Sequence, residues 1–484
     1  MSTFNLVRNS RVFFTTNVAA GTGVVAASGF TSANSQELQV LDGFSFSQAT
    51  NADTVSINEA GATPVRGQRS FNTSLANVEF SFSTYIRPKL NGTVKAEEAH
   101  LWNALLSATP LGATGGSFAT ITAATSTVPA GVLTLTGTGL ASVVAGDVLV
   151  VKGVTGIGAS QYNTAIKVLT VTSTTGITAQ YLEAPTAAAP AVGSWAAVTF
   201  LKTAWIEHAA VSADLAATPG IPTAYSAVTT ALSNRNQLLP FGMVITVDTV
   251  TYVIDNCALD QAVVDFGLDG IAMVAWTGKG TVLRQLASTV SYSGASDPVI
   301  SGGLAGTIKG KDTTANFITN KLSTVSLTSN IGGVAGTSYN LALTGGSITI
   351  ANGITYVTPA NLGVVNVPIG YFTGTRAISG SITAYLRTGT LNTAGLLSTL
   401  LAASATSAGV EPKFKLQIEI GGATSGTRIE VEASGAMLQI PTVDAQAVMS
   451  TTINFMCQGT EENLTNNAYD LENTNDLQIR YLSI

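Results

Sequence analysis

The chain has 484 residues, of which 10% are charged, with 28 Asp and Glu against 22 Lys and Arg, a net charge of −6, 48 Gly, 14 Pro, two Cys and two His. An ordinary soluble domain carries about a quarter charged residues, and the acidic balance excludes wrapping nucleic acid through clustered phosphate contacts. With 45% hydrophobic residues the chain is not of the disordered class, and no run of about 18 apolar residues exists to span a membrane as a helix.

At roughly 100 to 200 residues per domain the length implies two to four folding units. Met1–Thr16 carries Arg8 and Arg11 but no apolar block of about 7 to 15 residues, so no secretory signal is expected and synthesis in the cytosol follows. In that compartment Cys257 and Cys457 are expected as buried thiols.

Taken in chain order, the periodic segments mostly alternate with period two, which makes the chain mainly β. Val78, Phe80, Phe82, Thr84 and Ile86 share one face of a strand and Glu79, Ser81, Ser83 and Tyr85 the other. Lys95–Ala108 follows with helical spacing at Leu101, Ala104, Leu105 and Ala108, Glu97 and Glu98 near its start, and Pro110 beyond its end. Ala99–Gly146 then lacks any Asp, Glu, Lys or Arg, and residues 115–193 are rich in Thr, Ala, Gly and Val. Short strands are expected there at Val132–Thr136, Asp147–Val151 and Ala165–Val171, as a small β domain inserted in a surface loop. Ala287–Thr314 has little periodicity and reads as a linker. Further on, Thr393–Ala403 places Leu396, Leu397, Leu400 and Leu401 on one side of a helix. Leu416, Ile418 and Ile420, then Ile429, Val431 and Ala433, mark half-buried strands.

These segments repeat. A strand ending at Tyr85 and Arg87 precedes the first helix, and one ending at Tyr385 and Arg387 precedes the second with the same parity. Downstream, Val274–Thr281 parallels Ile453–Thr460. The organisation expected is therefore a first unit at 1–114 and 196–290, an inserted β decoration domain at 115–195, a linker at 291–314 and a second unit at 315–484.

The search for reactive groups returns nothing. No Cys or His lies at CxxC or HxxxH spacing, so no metal site is expected. His100 and His208 read as surface or boundary residues. Gly137-Thr138-Gly139 and Gly156-Ile157-Gly158 lack the third glycine and the helix of a dinucleotide fingerprint, and Gly278-Lys279-Gly280-Thr281 lacks the spacing of a phosphate loop. Asp255, Asp260, Asp265 and Asp269 read as a solvated strand face and its turn rather than as a carboxylate site. The chain is read as no enzyme, with no cofactor.

From Val55 to Gly67, through the run Asn58-Glu59-Ala60-Gly61 with Pro64 and Arg66, and on through Phe71–Leu75 and Phe80–Ile86, the sequence resembles the major tail tube proteins of long-tailed bacteriophages. It looks closest to the duplicated, trimer-forming subtype of coliphage T-five. Leu6–Phe13 and Ile348–Pro359 fit the same resemblance. It implies two tandem tail-tube β-sandwich units, each with a flanking helix and a long hairpin contributing to a ring barrel, in trimeric, pseudo-hexameric rings that stack into a tube. It implies as partners the tape measure protein, tail terminator and baseplate or distal tail proteins, and genomic DNA that passes without specific binding, in a virion tail assembled in host cytoplasm with no membrane. The module near 115–195 departs from that subtype, as does the lack of a terminal immunoglobulin-like domain.

If each unit gives four strands, three chains give about 24, which close at about 4.8 Å spacing and about 40° tilt into a ring roughly 48 Å across. A polyanion passes only walls that do not hold it, so the lining is expected to be neutral or weakly acidic. Asp53 and Glu59 are lumen or ring-contact candidates, and Arg66 and Arg69 are candidates to meet carboxylates of an adjoining ring. The alternative is a surface adhesin binding carbohydrate through the inserted domain, yet residues 115–193 hold only Phe118, Tyr162 and Tyr181 as aromatics. Deleting Thr54–Arg66 is expected to leave a chain with normal circular dichroism that forms no tubes; normal tubes in electron micrographs would count against the hairpin's role.

Overall fold

The structure is a computed structural model. It describes residues 10–26, 30, 34–41, 43–55, 69–87, 98–105, 116–127, 132–138, 140, 148–152, 154, 165–181, 199–202, 204–206, 238–247, 250–286, 290–292, 298–300, 317–329, 338–362, 364–374, 376–405, 413–421, 428–444, 449–457 and 477–482. The described chain is mainly β.

Four strands, β1 (Ser10–Thr15), β2 (Ser35–Leu38), β3 (Ser45–Val55) and β4 (Arg69–Tyr85), lead to helix α1 (Ala99–Leu105). Next come β5 (Gly116–Thr127), β6 (Val132–Thr138), β7 (Val148–Lys152), β8 (Ala165–Ser173), β9 (Gly176–Tyr181) and β10 (Thr199–Lys202). These six close into a barrel in the order β10-β5-β6-β9-β8-β7. Leu133, Leu135, Ile166, Val168, Ile177 and Ala179 are buried in it. After β11 (Ala204–Ile206) come β12 (Phe241–Val247), β13 (Val250–Asp265), β14 (Met273–Gly280) and β15 (Leu283–Leu286). Within the segment of weak periodicity, β16 (Val290–Tyr292) and β17 (Pro298–Ile300) pair as a ribbon.

The remaining strands are β18 (Thr324–Ser329), β19 (Ser338–Asn340), β20 (Leu343–Ala351), β21 (Thr355–Val357), β22 (Gly370–Phe372) and β23 (Ala377–Tyr385). After helix α2 (Thr393–Ala405) follow β24 (Lys413–Ile420), β25 (Arg428–Leu438), β26 (Thr442–Asp444), β27 (Ser450–Cys457) and β28 (Gln478–Leu482).

Pairing brings out the duplication. In the first half one sheet runs β2-β1-β12-β13-β15 and a second runs β3-β4-β14-β13, all antiparallel. In the second half the same positions read β19-β18-β24-β25-β28 and β20-β23-β27-β25, with β26 continuing the line of β25. Tyr85 pairs with Met273 and Tyr385 with Ser450, so the matched tyrosines occupy one ladder position. The register also shifts the sequence alignment of β14 on β27 by two residues. Gly278 lies opposite Phe80 and Phe455 opposite Gly380, so Gly278 corresponds to Phe455. A two-residue slip keeps every side chain on its own face, which is why alternation alone could not detect it.

The same pair shows how the halves keep one packing with different residues. In the first half Phe80 covers Gly278, and a Cβ there would lie 2.4 Å from the Phe80 ring. In the second half Phe455 covers Gly380, where a Cβ would again lie 2.4 Å from the ring. One ring and one glycine fill the position in both, exchanged between strands.

The sandwiched faces meet in a continuous apolar core, with Phe80, Phe82, Val274 and Trp276 packing with Phe14, Met243 and Ile245. Helix α1 closes it: Trp102 meets Trp276 edge-on at 4.7 Å, His100 stacks on Phe14 at 5.7 Å, and Trp276 Nε1 donates to Thr84 Oγ1 at 2.9 Å. Such an aromatic pair contributes about 0.5–1.5 kcal/mol beyond its buried area. Of the expected apolar stripe on α2, Leu396 and Leu400 are buried while Leu401 is exposed, so the stripe is narrower than its leucines suggest.

Strand β13 belongs to two sheets and turns between them at Asn256, whose φ of 45° is left-handed. The turn corrects the expectation of a solvated face at Asp255, which is buried. It accepts from Val25 N at 2.8 Å and from Arg284 Nε at 2.6 Å. Asp255 is buried while Arg284 is partly exposed, so solvent screens the pair from the guanidinium side.

Gly278→Phe alone is expected to destabilise the chain by about 1–3 kcal/mol through overpacking. Adding Phe80→Gly should recover part of that loss; denaturant melts of the single and double variants with no coupling between the sites would refute the exchange.

Candidate functional site: an open sheet face and its two edges

The β13 to β20 ladder joins the halves. Gln261 to Asp265 pair on one side with β14 and on the other with β20, Gln261 opposite Ala351 and Asp265 opposite Ser347. One antiparallel sheet therefore runs β3-β4-β14-β13-β20-β23-β27-β26 through both halves. One face packs on the core through alternate residues such as Val264, Ile348, Ile382 and Ile453. The opposite face carries mostly small polar residues that are partly or fully exposed.

Cross-strand partners share a face, so this open face can be read from the register. It holds Ser45 and Ser47 on β3, Glu79, Ser81 and Ser83 on β4, and Ala275, Thr277 and Lys279 on β14. Gln261, Val263 and Asp265 continue it on β13, Ser347 and Thr349 on β20, Ser379 and Ser381 on β23, and Thr452 and Asn454 on β27. Ser45 and Ser81 share a hydroxyl hydrogen bond of 2.8 Å across it. Glu79 and Asp265 stand on this face. Lys279 is already held by Asp260, Nζ to Oδ2 3.0 Å, and donates to Ile354 O at 2.9 Å. The face is thus hydroxyl-rich and weakly acidic.

Both borders of this sheet are open. Among the described residues, strand β3 pairs only with β4, and β26 only with β27. The last strand line repeats the geometry of the internal junction. Leu259 and Asp265 sit on β14 as Leu438 and Asp444 sit on β27, with Gly278 and Met273 matched by Phe455 and Ser450.

At one end of the sheet β4 runs past the last residue of β14, because Gly280 lies opposite Val78 while β4 begins at Arg69. At about 3.3 Å per residue the hairpin projects roughly 30 Å. Asp53 lies in it opposite Phe71, exposed, and Arg69 lies opposite Val55. Glu59 and Arg66 fall outside the described residues. Beside the hairpin stands the segment between β21 and β22, where Asn366 bridges to Ser74 and accepts from Leu75 N at 2.8 Å. Its root is pinned by two phenols: Tyr356 donates to Asn256 O at 2.6 Å and Lys279 O at 2.9 Å, and Tyr371 to Leu238 O at 3.3 Å.

The opposite end holds the matched pairs. Tyr85 meets Phe317 edge-on at 5.3 Å, and Arg87 is buried with its guanidinium 5.7 Å from the Phe317 ring. Arg387 is exposed, its carbonyl accepting from Ala394 N at 3.1 Å. Asp260, Asp265 and Asp269 are dispersed along β13 and its turn, and no group of three or more His, Cys, Asp and Glu that could hold a metal occurs among the described residues. Cys257 and Cys457 are buried thiols, and burial pushes the Cys257 thiol well up. His208 lies outside the described residues. Among them no helix is long and apolar enough to cross a membrane.

The open face was only partly legible in the sequence: Glu79, Ser81, Ser83 and Tyr85 announce it on β4. The continuation through β13 and β20 depends on a junction that no local pattern specifies.

No family model matches the chain. It is similar to Tail tube protein pb6 of Escherichia phage T5, 26% identical over 458 residues, which are 93% of this chain and 72% of that protein. The likeness supports a T5-like tail tube protein.

Burial pushes the Tyr371 hydroxyl up to about 12 and the Tyr356 hydroxyl well above its ordinary value. A phenol raised in the folded state keeps its proton there after the unfolded chain has lost its own at about 10. The stability it contributes is present below about pH 10 and is lost as pH rises toward 12. Alkaline melts should show this loss and Tyr371→Phe should reduce it; an unchanged alkaline limb in the variant would refute the assignment.

Proposed function

We propose that the chain is a structural subunit of a bacteriophage tail tube, in which copies join edge to edge into rings and the rings stack around a lumen. The similarity to a phage tail tube protein supports the structural role. The observation that carries the ring reading is the β13 to β20 ladder, an edge pairing between tandem equivalent units that leaves one unsatisfied edge of each kind at the ends of the sheet. An open sheet edge presents unpaired backbone groups that can pair with another chain. A contact between two different edges of one molecule is heterologous and closes only as a ring or continues as a filament.

The internal ladder supplies the register for the external one. Val263 opposite Thr349 and Asp265 opposite Ser347 translate to Thr442 opposite Ser47 and Asp444 opposite Ser45 of the next copy. Three copies of the eight-strand sheet provide about 24 strands, a barrel roughly 48 Å across with room for a channel. The core face of each sheet is already covered by its own sandwich, so the hydroxyl-rich face turns inward. Hydroxyls and a few carboxylates offer a polyanion no cationic foothold, which suits a conduit for genomic DNA and a sheath around a tape measure protein. Asp53 and Glu59 remain candidates for the lumen or the ring contact, and Arg66 and Arg69 for charge pairs that flank the contact between rings without holding it. The barrel of β5 to β10 decorates the outside. Tail terminator and baseplate or distal tail proteins cap the ends, in a virion tail assembled in the host cytoplasm.

Paired residues of an antiparallel ladder have Cα atoms about 4.5–5.5 Å apart, within disulfide reach. A chain carrying Ser47→Cys and Thr442→Cys should cross-link on oxidation into a ladder of species that ends at a covalent trimer, with three-copy rings in electron micrographs. A ladder that runs on past three, or an uncross-linked monomer with no rings, would reject this reading.

A further inference from the structure

Closing the sheet into a ring places the two ends of its strands on opposite rims, and both ends carry apolar residues in the open. At the projecting end, residues 351–375 hold no charged side chain, and Leu362, Val364, Val365 and Ile369 are exposed, Leu362 completely. Phe71 and Val55 of the adjoining hairpin extend the patch. The phenol-pinned root and the Asn366 contact with β4 hold this segment upright beside the hairpin, so the patch is built into the fold.

At the blunt end, Leu268 lies in the turn after β13 and Leu322 in a 3-10 turn joined to it, Asn320 N donating to Gly270 O at 3.1 Å. Phe317 on Tyr85, and Met449 beside Leu386, are exposed on the same side. Exposed apolar clusters of this extent mark contact surfaces. Pairing like ends would cover one rim and leave the other bare, whereas seating one kind of end on the other covers both and repeats without limit along the axis.

We propose that ring stacking is a head-to-tail apolar contact, in which the 357–372 segment of one copy seats on the Leu268, Phe317, Leu322 and Met449 end of a second copy in the next ring. The proposal rests on the ring reading, and the two fail differently. Leu362→Asp with Val365→Asp spoils the projecting end; Leu268→Asp with Leu322→Asp spoils the blunt end. Each variant alone is expected to give single rings in electron micrographs, and an equal mixture of the two to give stacks of two rings, because each contributes one intact surface. Wild-type tubes should keep their length from about 0.15 to 1 M salt, where bridges between charged side chains are screened. Full-length tubes from either variant would overturn the proposal. So would two-ring stacks from the blunt-end variant alone, which would mean like ends pair, and so would tubes that fall to single rings in salt. Wild-type protein that forms no rings would remove the ring reading, and the stacking contact with it.

Discussion

The whole arrangement depends on one constraint: backbone N–H and C=O groups at a sheet border must find partners. The chain meets it internally by laying β13 against β20, which fuses the inner sheets of two sandwiches into one sheet of eight strands. Among the described residues nothing repeats that solution for β3 or β26, and the proposed ring would carry the same need outward to identical neighbours. On the proposed ring, a single pairing rule, used once within the chain and again between chains, would account for the open borders and the equivalence of the halves.

Duplication makes that rule economical to encode. Both halves keep the same strand order although few side chains coincide, and the exchange of Phe80 and Gly278 for Gly380 and Phe455 shows why. The ladder requires one ring's volume between two strands and is indifferent to which strand supplies it. Volume-conserving exchanges of this kind are the changes that packed interiors tolerate best. Equivalent backbone paths can therefore diverge in sequence while still offering the same edges to a partner.

The low charge content follows from the surfaces the molecule presents. A hydroxyl-rich face needs little charge to stay wetted. Where charge is kept, it often serves internal geometry. Asp255 and Arg284 secure the turn where β13 changes sheets, and Glu37 pairs with Arg11 across β1 and β2. Lys279 with Asp260 ties the open face to the root of the upright segment.

Much of the local structure was written in the order of residues. Period-two alternation marked the faces of β4, β24 and β25, helical spacing marked α1 and α2, and the tyrosines at 85 and 385 marked the repeat. Each of these depends on neighbours a few residues away, which is the range over which backbone geometry disposes side chains. The two-residue slip between β14 and β27, the burial of Asp255, the different surroundings of Arg87 and Arg387, and the pairing of β13 with β20 were decided only in three dimensions. Register and junction are set by which distant strands fit together, and a slip of two residues or a change of sheet preserves every alternation that a sequence displays.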